Sequence, residues 1–181
     1  GRQWTGKVLT TPRAPEDAVI AAVHEILAEA GLAAGGLDLF ILGTTLATNA
    51  LIERKGAKTA LVTTEGFRDL VEIGWEHRFA QYDIFLDKPA PLVPRHLRLP
   101  VPERIDARGR VLLALDEAAV ATLVPTLKQH HIESVAIAFL QSFTNPAHER
   151  RAKEILKRAL PELWITLSSD VCPEIREYER I

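Results

Sequence analysis

The sequence predicts an α/β protein, in which short apolar strands alternate with amphipathic helices around largely parallel or mixed sheets. The clearest evidence lies between residues 37 and 69, where apolar runs at 39–42 and 60–62 each end near a pair of threonines. A helix-like segment closed by glycine separates these two runs. The same strand and helix rhythm returns after residue 114. Such alternation implies a sheet that is covered by helices on both faces.

The composition limits the kinds of partner that the protein can use. The chain has 181 residues, of which 47% are hydrophobic, and this is enough for one sizeable core or two small ones. Its formal net charge of -2 argues against an electrostatic grip on nucleic acid or on an anionic membrane. Its single cysteine excludes an internal disulfide and suits a reducing cytoplasm. No apolar run approaches the ~20 residues of a membrane-spanning helix, and no secretory signal opens the chain.

The first helix is predicted at residues 15–30. Val19, Val23 and Ile26 fall on one face of it, Pro15 lies near its start and Gly31 follows its end. The next four predicted elements are a buried strand at 38–42, a helix at 46–55 closed by a glycine, a strand at 59–62 and a short helix at 66–72.

A proline-rich segment at 74–102 interrupts this pattern. Proline forbids a regular helix and disfavours a central strand, so we expect a long excursion packed over the core, as a lid or an interface arm. The prolines are Pro89, Pro91, Pro94, Pro100 and Pro102. A hairpin at 103–113, turning at 106–109, is predicted to follow.

The remaining residues return to alternating helices and strands. Asp116 is expected to cap a helix that runs to residue 129 and is kinked by Pro125. Asn145 and Pro146 are expected to open a helix that runs to residue 160. The other predicted elements are strands at 134–140 and 164–167 and a charged helix at 173–180. We therefore divide the chain into a first α/β lobe at 1–73, an excursion with hairpin at 74–113, and a second α/β portion at 114–181.

Candidate ligand-binding residues follow the first predicted strand. Gly43 allows close backbone approach, and the hydroxyls of Thr44 and Thr45 suit an anionic or carbonyl-bearing ligand at the carboxyl end of a strand. The alternative is that Thr44 or Thr45 only caps the helix that begins near Leu46. Both roles are compatible with one another.

Thr48 and Asn49 lie in the first turns of that helix. Because asparagine is a poor helix former, the position of Asn49 needs a reason. Contact with a ligand or a neighbouring loop supplies one, and a hydrogen bond to backbone is an equal alternative.

A second set of candidates follows the next predicted strand. Thr63 and Thr64 end that strand, and Arg68 could hold a carboxylate or phosphate in a bidentate pair. The preferred alternative for Arg68 is a surface ion pair with Asp69 or Glu72.

Metal chemistry has little support in the sequence. The six histidines show no metal-binding spacing, so no metal site is expected within these residues. Cys172 shows no sign of activation and is expected to be inert. A group of aromatic and charged residues has two open interpretations, a substrate-facing surface or an interdomain contact. The residues are Trp75, Glu76, His77, Arg78 and Tyr82.

Several motifs together resemble one family. The most specific is GTTLATNALIERKG at 43–56, and TTEGFRD at 63–69 is the second. The other matching segments are KVLTTP at 7–12, PLVP at 91–94, PERID at 102–106, NPAHER at 145–150 and PEIREYER at 173–180. In content and in order they are similar to the N-terminal region of the hydantoinase A/5-oxoprolinase family, which includes related subunits of acetone and acetophenone carboxylases.

The resemblance implies part of an actin-like (ribonuclease H-like) ATPase fold, truncated at both ends. The family's Asp-x-Gly-Gly-Thr phosphate hairpin is expected upstream of Lys7, and a larger second half beyond Ile181. The implied parent uses ATP and Mg²⁺ to hydrolyse a cyclic amide such as a hydantoin or 5-oxoproline. The chain alone is expected to be inactive and to hold no ATP tightly, and its catalytic residues stay unassigned.

The same resemblance implies partners and alternatives. The expected partners are a small cyclic amide, the C-terminal half of the same polypeptide and a hydantoinase B-type subunit. One alternative function is that of a subunit of an ATP-dependent ketone carboxylase, where phosphorylation traps an enol before carboxylation. The other is a non-catalytic scaffold or interface domain.

Overall fold

A computed structural model describes residues 2–11, 13–73 and 82–181 and divides the chain into two compact units, Gly1–Ala47 and Thr48–Ile181. The first unit contains helix α1, Pro15–Ala30, and a 3₁₀ turn at Ala34–Gly36. Helix α1 is confirmed with its predicted ends, because Pro15 lies in its first turn and Gly31 closes it at a φ of 68°. Helix α2, Leu46–Ile52, spans the boundary between the units.

A four-stranded sheet organises the second unit. Its strands are β1 at Thr59–Thr64, β2 at Arg98–Val101, β5 at Ser134–Ala138 and β6 at Trp164–Leu167. All four strands are parallel, and their order across the sheet is β2-β1-β5-β6. A separate antiparallel hairpin joins β3, Arg104–Ile105, to β4, Val111–Leu113. The helices are α3 at Glu117–Gln129, α4 at Ala147–Ala159, α5 at Ser168–Val171 and α6 at Glu177–Arg180.

The core of this unit lies between the sheet and helices α3 and α4. Apolar residues of the central strands β1 and β5 are fully buried against Val120 and Leu127 of α3 and Ala152 and Leu156 of α4. Removal of this apolar area from water is the main stabilising contribution to the unit. The α/β architecture with a parallel sheet flanked by helices is therefore confirmed. The sheet also brings the carboxyl ends of four strands to one edge.

The prediction of a buried strand at 38–42 is wrong. These residues form no strand, and the side chains of Leu39 and Ile41 are 73% and 81% exposed. An apolar run becomes a strand only where a neighbouring strand accepts its backbone hydrogen bonds, and the structure pairs this segment with none. The next helix was placed correctly at its start, but it ends at Ile52, and Arg54 beyond it has a φ of 53°.

The proline-rich segment contains a strand that the sequence did not predict. Strand β2 includes Pro100, which lies opposite Thr63 of β1. Proline cannot donate to a strand ladder, but β2 is at the edge of the sheet, where an outward-facing position needs no donor. Five prolines in the segment therefore excluded a central strand but not an edge strand.

Three other local predictions are confirmed with small shifts, and a fourth is correct for only half of its length. The hairpin turns at 106–109 with Gly109 at a φ of 77°. The side chain of Asp116 accepts a hydrogen bond from the Ala119 amide and caps α3. Helix α4 begins one residue later than expected, and the Asn145 side chain accepts a hydrogen bond from the Ala147 amide. The charged helix predicted at 173–180 is helical only over its last residues, as α6.

The domain boundaries at 73/74 and 113/114 stay predictions. Strand β1, assigned to the first lobe, pairs directly with β5 from the second portion, so both contribute to one sheet.

Within the described residues, no helix is both long enough and apolar enough to cross a membrane.

Candidate functional site

The carboxyl edge of the parallel sheet carries a connected group of buried polar side chains. Thr64, the last residue of β1, accepts a hydrogen bond from the Leu140 amide at 3.0 Å. Because this bond uses a lone pair of the Thr64 hydroxyl, its own hydrogen is free to be donated to Oε1 of Glu103. Both Thr64 and Glu103 are almost completely buried. A threonine and a carboxylate thus join the ends of β1, β2 and β5.

His148 continues this group from the first turn of α4. Its Nδ1 lies 2.8 Å from Oε2 of Glu103. Where Glu103 is ionised, its oxygens only accept, and Nδ1 of the imidazole is then the donor in this bond. One oxygen of Glu103 thus accepts from Thr64, whose hydroxyl in turn accepts from the Leu140 amide. The other oxygen accepts from His148, so both carboxylate oxygens have a partner.

Glu149 forms a second buried carboxylate site beside the first. Oε1 accepts hydrogen bonds from the Phe139 amide at 3.0 Å and the Ser168 hydroxyl at 2.7 Å. Oε2 accepts from both the amide and the hydroxyl of Ser169, at 3.0 and 2.6 Å. A buried carboxylate with four donors is well satisfied, and this arrangement ties α4 to the ends of β5 and β6.

Arg180 reaches the same edge from α6. Its guanidinium is fully buried and donates to the hydroxyl of Ser168 at 3.2 Å and to the carbonyl of Phe139 at 3.1 Å. Its charge is offset by Glu177, at 3.4 Å, whose carboxylate also accepts from the Gln141 amide. The loop after β5 is therefore held by side chains from α4, α6 and β1.

Sequence reasoning did not single out Glu103, His148, Glu149 or Arg180. A usable signal existed, because three of the family-like motifs supply these residues. PERID contains Glu103, NPAHER contains His148 and Glu149, and PEIREYER contains Arg180. The motifs lie far apart in sequence, and only the parallel sheet brings them to one edge.

The predicted residues in the first threonine loop are exposed. The hydroxyl of Thr44 accepts a hydrogen bond from the Leu46 amide at 3.2 Å, which is the capping interaction considered as the alternative. The space around Gly43 is open, since a Cβ built there meets no atom within 4 Å. Thr48 and Asn49 are exposed positions of α2. A ligand role for Gly43, Thr44, Thr45, Thr48 and Asn49 stays a prediction.

The second threonine pair lies inside the unit. Thr63 is fully buried, and its Oγ1 is the buried side-chain polar atom for which no partner is found in the described part of the chain. Thr64 directs its hydroxyl to protein partners. Their assignment to a binding site also stays a prediction.

Arg68 takes part in a charged cluster beyond β1. Its Nε lies 3.8 Å from Asp69, in line with the preferred surface-pair alternative. Asp69 also receives a bidentate hydrogen bond from Arg95, at 3.0 and 2.9 Å, and a contact from the buried Arg98 at 3.3 Å. The hydrogen bond from Arg95, followed by the charges of Arg95, Arg68 and Arg98, holds the pKa of Asp69 below its ordinary value. This cluster joins the turn at Leu70–Glu72 to β2.

Mg²⁺ prefers carboxylate and other oxygen ligands. Across residues 2–11, 13–73 and 82–181, no three histidine, cysteine or acidic side chains are grouped so as to hold a metal ion. Glu103 and Glu149 at the sheet edge already accept hydrogen bonds from protein donors on both of their oxygens. The described residues therefore do not by themselves form a magnesium site.

A four-stranded parallel sheet with a polar carboxyl edge defines an α/β domain of the kind that binds ligands at strand ends. The sequence-family model for the hydantoinase/oxoprolinase N-terminal region matches residues 2–160 of the chain. The chain therefore belongs to this family.

Curated relatives and solved structures agree with this assignment. Caprolactamase subunit alpha of Pseudomonas jessenii is 37% identical over an alignment of 188 positions, and the alignment covers 98% of this chain and 27% of that protein. The acetophenone carboxylase gamma subunit of Aromatoleum aromaticum is 34% identical over an alignment of 200 positions, and the alignment covers 99% of this chain and 27% of that protein. The chain thus spans about a quarter of the length of these relatives.

Two solved structures superpose on the chain. The crystal structure of the ATP-dependent caprolactamase from Pseudomonas jessenii aligns with a TM-score of 0.78 at 37% identity, covering 94% of this chain and 26% of that one. A nucleotide-free acetone carboxylase aligns with a TM-score of 0.86 at 28% identity, covering 97% of this chain and 27% of that one.

Proposed function

We propose that this chain is the N-terminal domain of an ATP-dependent enzyme that hydrolyses a cyclic amide of the hydantoin, lactam or 5-oxoproline class. The observation that carries the proposal is the 37% identity to caprolactamase subunit alpha across 98% of the chain. The superposition on an ATP-dependent caprolactamase supports it. The sheet would then form part of an actin-like ATPase fold that the rest of the polypeptide completes.

The chemistry explains why such a reaction needs ATP. An unstrained amide is a poor target for water, because its nitrogen is a poor leaving group. Transfer of the terminal phosphoryl group of ATP to the amide oxygen makes the ring carbon more electrophilic. Water then adds to that carbon, and the C–N bond breaks as the ring nitrogen takes up a proton, which leaves an acyl phosphate. A second water hydrolyses the acyl phosphate, so that the ring-opened amino acid, ADP and inorganic phosphate are the products. Mg²⁺, when bound by the whole protein, would offset the phosphate charge.

The roles of this chain's residues follow from where they lie. We assign the exposed loop of Gly43, Thr44 and Thr45 to a phosphate or a substrate carbonyl, together with Thr48 and Asn49 on α2. Thr63, Thr64 and Arg68 would act at the sheet edge, Thr64 by positioning the loop after β5 through Leu140. The expected partners are the C-terminal half of the polypeptide and a hydantoinase B-type subunit, and the relatives that are named as subunits support the second. The single cysteine suits a cytoplasmic enzyme.

A ketone carboxylase subunit is the second candidate. It is favoured by the TM-score of 0.86 to acetone carboxylase, which exceeds the 0.78 to caprolactamase. Both reactions phosphorylate a substrate oxygen. In the carboxylase, this phosphorylation would trap the enol form of the ketone, which then accepts a carboxyl group.

The two candidates are separated by one substrate screen. The intact protein, with any partner subunit, is given ATP and either caprolactam, 5-oxoproline or hydantoin, or a ketone with bicarbonate, and ADP release is measured. We expect ADP release that depends on the cyclic amide. Release that depends on a ketone and bicarbonate would select the carboxylase. Absence of release with every substrate would favour a non-catalytic scaffold.

A further inference from the structure

A small cavity opens at the carboxyl edge of the sheet, between the β3–β4 hairpin and the loop after β5. Its volume is about 240 Å³. Pockets for drug-sized ligands have roughly 300–1,000 Å³, so this cavity suits a smaller molecule and is too small for a nucleoside triphosphate. Ile105, Leu112 and Leu140 supply apolar walls, and Arg104 and Gln141 supply polar groups.

Arg104 is the cation of this cavity. Its guanidinium lies over the ring of Phe67 at 4.6 Å from the centroid, which holds the side chain in one orientation. Within the described part of the chain, no carboxylate lies within ion-pair distance of Arg104. Its planar donors are therefore available to an acceptor that enters the cavity.

Asp106 also lines the cavity, but it is engaged elsewhere. Its Oδ1 accepts hydrogen bonds from the amides of Arg108 and Arg110, both at 2.9 Å, and its Oδ2 accepts from the Arg110 side chain at 2.7 Å. These bonds, with the Arg110 amide first among them, hold the pKa of Asp106 below its ordinary value. Asp106 therefore shapes the hairpin, and its ion pair is with Arg110 and not with Arg104.

The walls of the cavity are joined from beneath by the buried polar group. The Thr64 hydroxyl bonds both the amide of Leu140, on one wall, and the carboxylate of Glu103, which directly precedes Arg104 on the other. Glu103 is in turn fixed by His148. Such support from a satisfied network is what holds a binding cavity in a defined shape.

We propose that this cavity binds the cyclic amide itself, with the ring against Ile105, Leu112 and Leu140 and the carbonyl oxygen at the guanidinium of Arg104. The assignment rests on the proposed function for the identity of the ligand. Caprolactam, a neutral ring with one carbonyl, matches the combination of apolar walls and the guanidinium of Arg104, for which the described residues supply no carboxylate partner.

The test uses Arg104→Gln in the intact protein, with Arg108→Gln as control. The control removes the same charge from the same hairpin at an exposed position that does not line the cavity. A hydrogen bond to a charged group contributes ~10- to 100-fold in affinity. We therefore expect Arg104→Gln to raise the KM for caprolactam by ~10-fold or more, with the KM for ATP and the melting temperature close to wild type. Leu112→Ala, at an exposed apolar wall, should raise the same KM by a smaller factor.

Two outcomes overturn the assignment. One is a lactam KM for Arg104→Gln equal to that of the control. The other is a rise in the KM for ATP in place of the KM for the lactam, which would identify Arg104 as a phosphate ligand.

Calorimetric titration with caprolactam in the absence of ATP separates this inference from the proposed function. Binding that is lost in Arg104→Gln supports the cavity even if the protein shows no ATP-coupled turnover, in which case only the proposed reaction fails. ATP-coupled turnover with no effect of Arg104→Gln on lactam binding leaves the reaction standing and refutes the cavity.

Discussion

Nδ1 of His148 lies 2.8 Å from Oε2 of Glu103, and this bond connects the first turn of α4 to the segment between β2 and β3. The Glu103 side chain is fully buried, so its two oxygens depend entirely on protein donors. Thr64 supplies the second donor. These three residues come from three separate segments of the chain, and together they define the shape of the carboxyl edge of the sheet.

Replacement of Glu103 should therefore destabilise the protein. Glu103→Ala leaves a buried hydroxyl and a buried imidazole nitrogen without an acceptor, which typically costs ~3–5 kcal/mol for a broken buried pair. The measurement is urea unfolding followed by circular dichroism. The control is Glu65→Gln, which alters an exposed carboxylate just after β1 and should change stability by less than ~0.5 kcal/mol. Equal effects of the two substitutions would show that the network contributes little.

The charged cluster around Asp69 predicts a pH dependence. The pKa of Asp69 is lowered in the folded protein, chiefly by its hydrogen bond from Arg95. Its contribution to stability is thus fully present above the ordinary aspartate pKa and is lost as the pH falls through the lower folded value. We expect wild type to lose more stability than Asp69→Asn as the pH is lowered below about 4. Asp170→Asn, which changes an exposed aspartate on α5, serves as control and should follow wild type.

Asp116 offers a test of local helix formation. Its side chain accepts a hydrogen bond of 2.8 Å from the Ala119 amide at the start of α3. Asp116→Ala should lower the free energy of unfolding by ~1 kcal/mol, whereas Asp116→Asn keeps a capping oxygen and should cost only a few tenths of that. Thermal and urea unfolding of both variants provide the comparison. A similar loss in the two would mean that charge, and not the cap, stabilises this helix.

How much the sequence could predict differs between the fold and the site. Strands β1, β5 and β6 were found because their apolar runs are flanked by clear helix and turn signals. Strand β2 was not, because proline signals dominate its sequence and its edge position exists only in the assembled sheet. The segment at 39–42 shows the opposite error. Its strongly apolar sequence predicts a strand, but the described structure provides no neighbouring strand to pair with it.

The site was harder to predict because its residues meet only through the sheet topology. Glu103, His148 and Arg180 are separated by many residues, and in isolation each resembles an ordinary surface charge. Threonines beside glycine attract attention in a sequence, yet Thr44 is exposed and Thr64 is buried. Burial and partners, which distinguish a ligand-facing hydroxyl from a structural one, are properties of the fold.

The loop prediction can be examined directly. If Thr44 positions a phosphate or a developing oxyanion, Thr44→Ala should lower ATP-coupled turnover of the intact protein by ~10²-fold or more. Its capping bond to Leu46 alone accounts for only ~1 kcal/mol of stability. Asn49→Ala should behave in the same way, with a melting temperature close to wild type. Variants that melt much earlier but keep the specific activity of wild type would restrict both residues to a structural role.

The measurement that tests the central claim most directly is the ratio of ring-opened product to ADP. The intact protein is incubated with caprolactam and ATP, and both the amino acid and ADP are quantified over time by chromatography. The proposed reaction predicts one amino acid for each ADP, with neither product formed when caprolactam or ATP is omitted. Ring opening without ATP, or ADP release without any opened ring, would contradict the assignment as an ATP-dependent cyclic amide hydrolase.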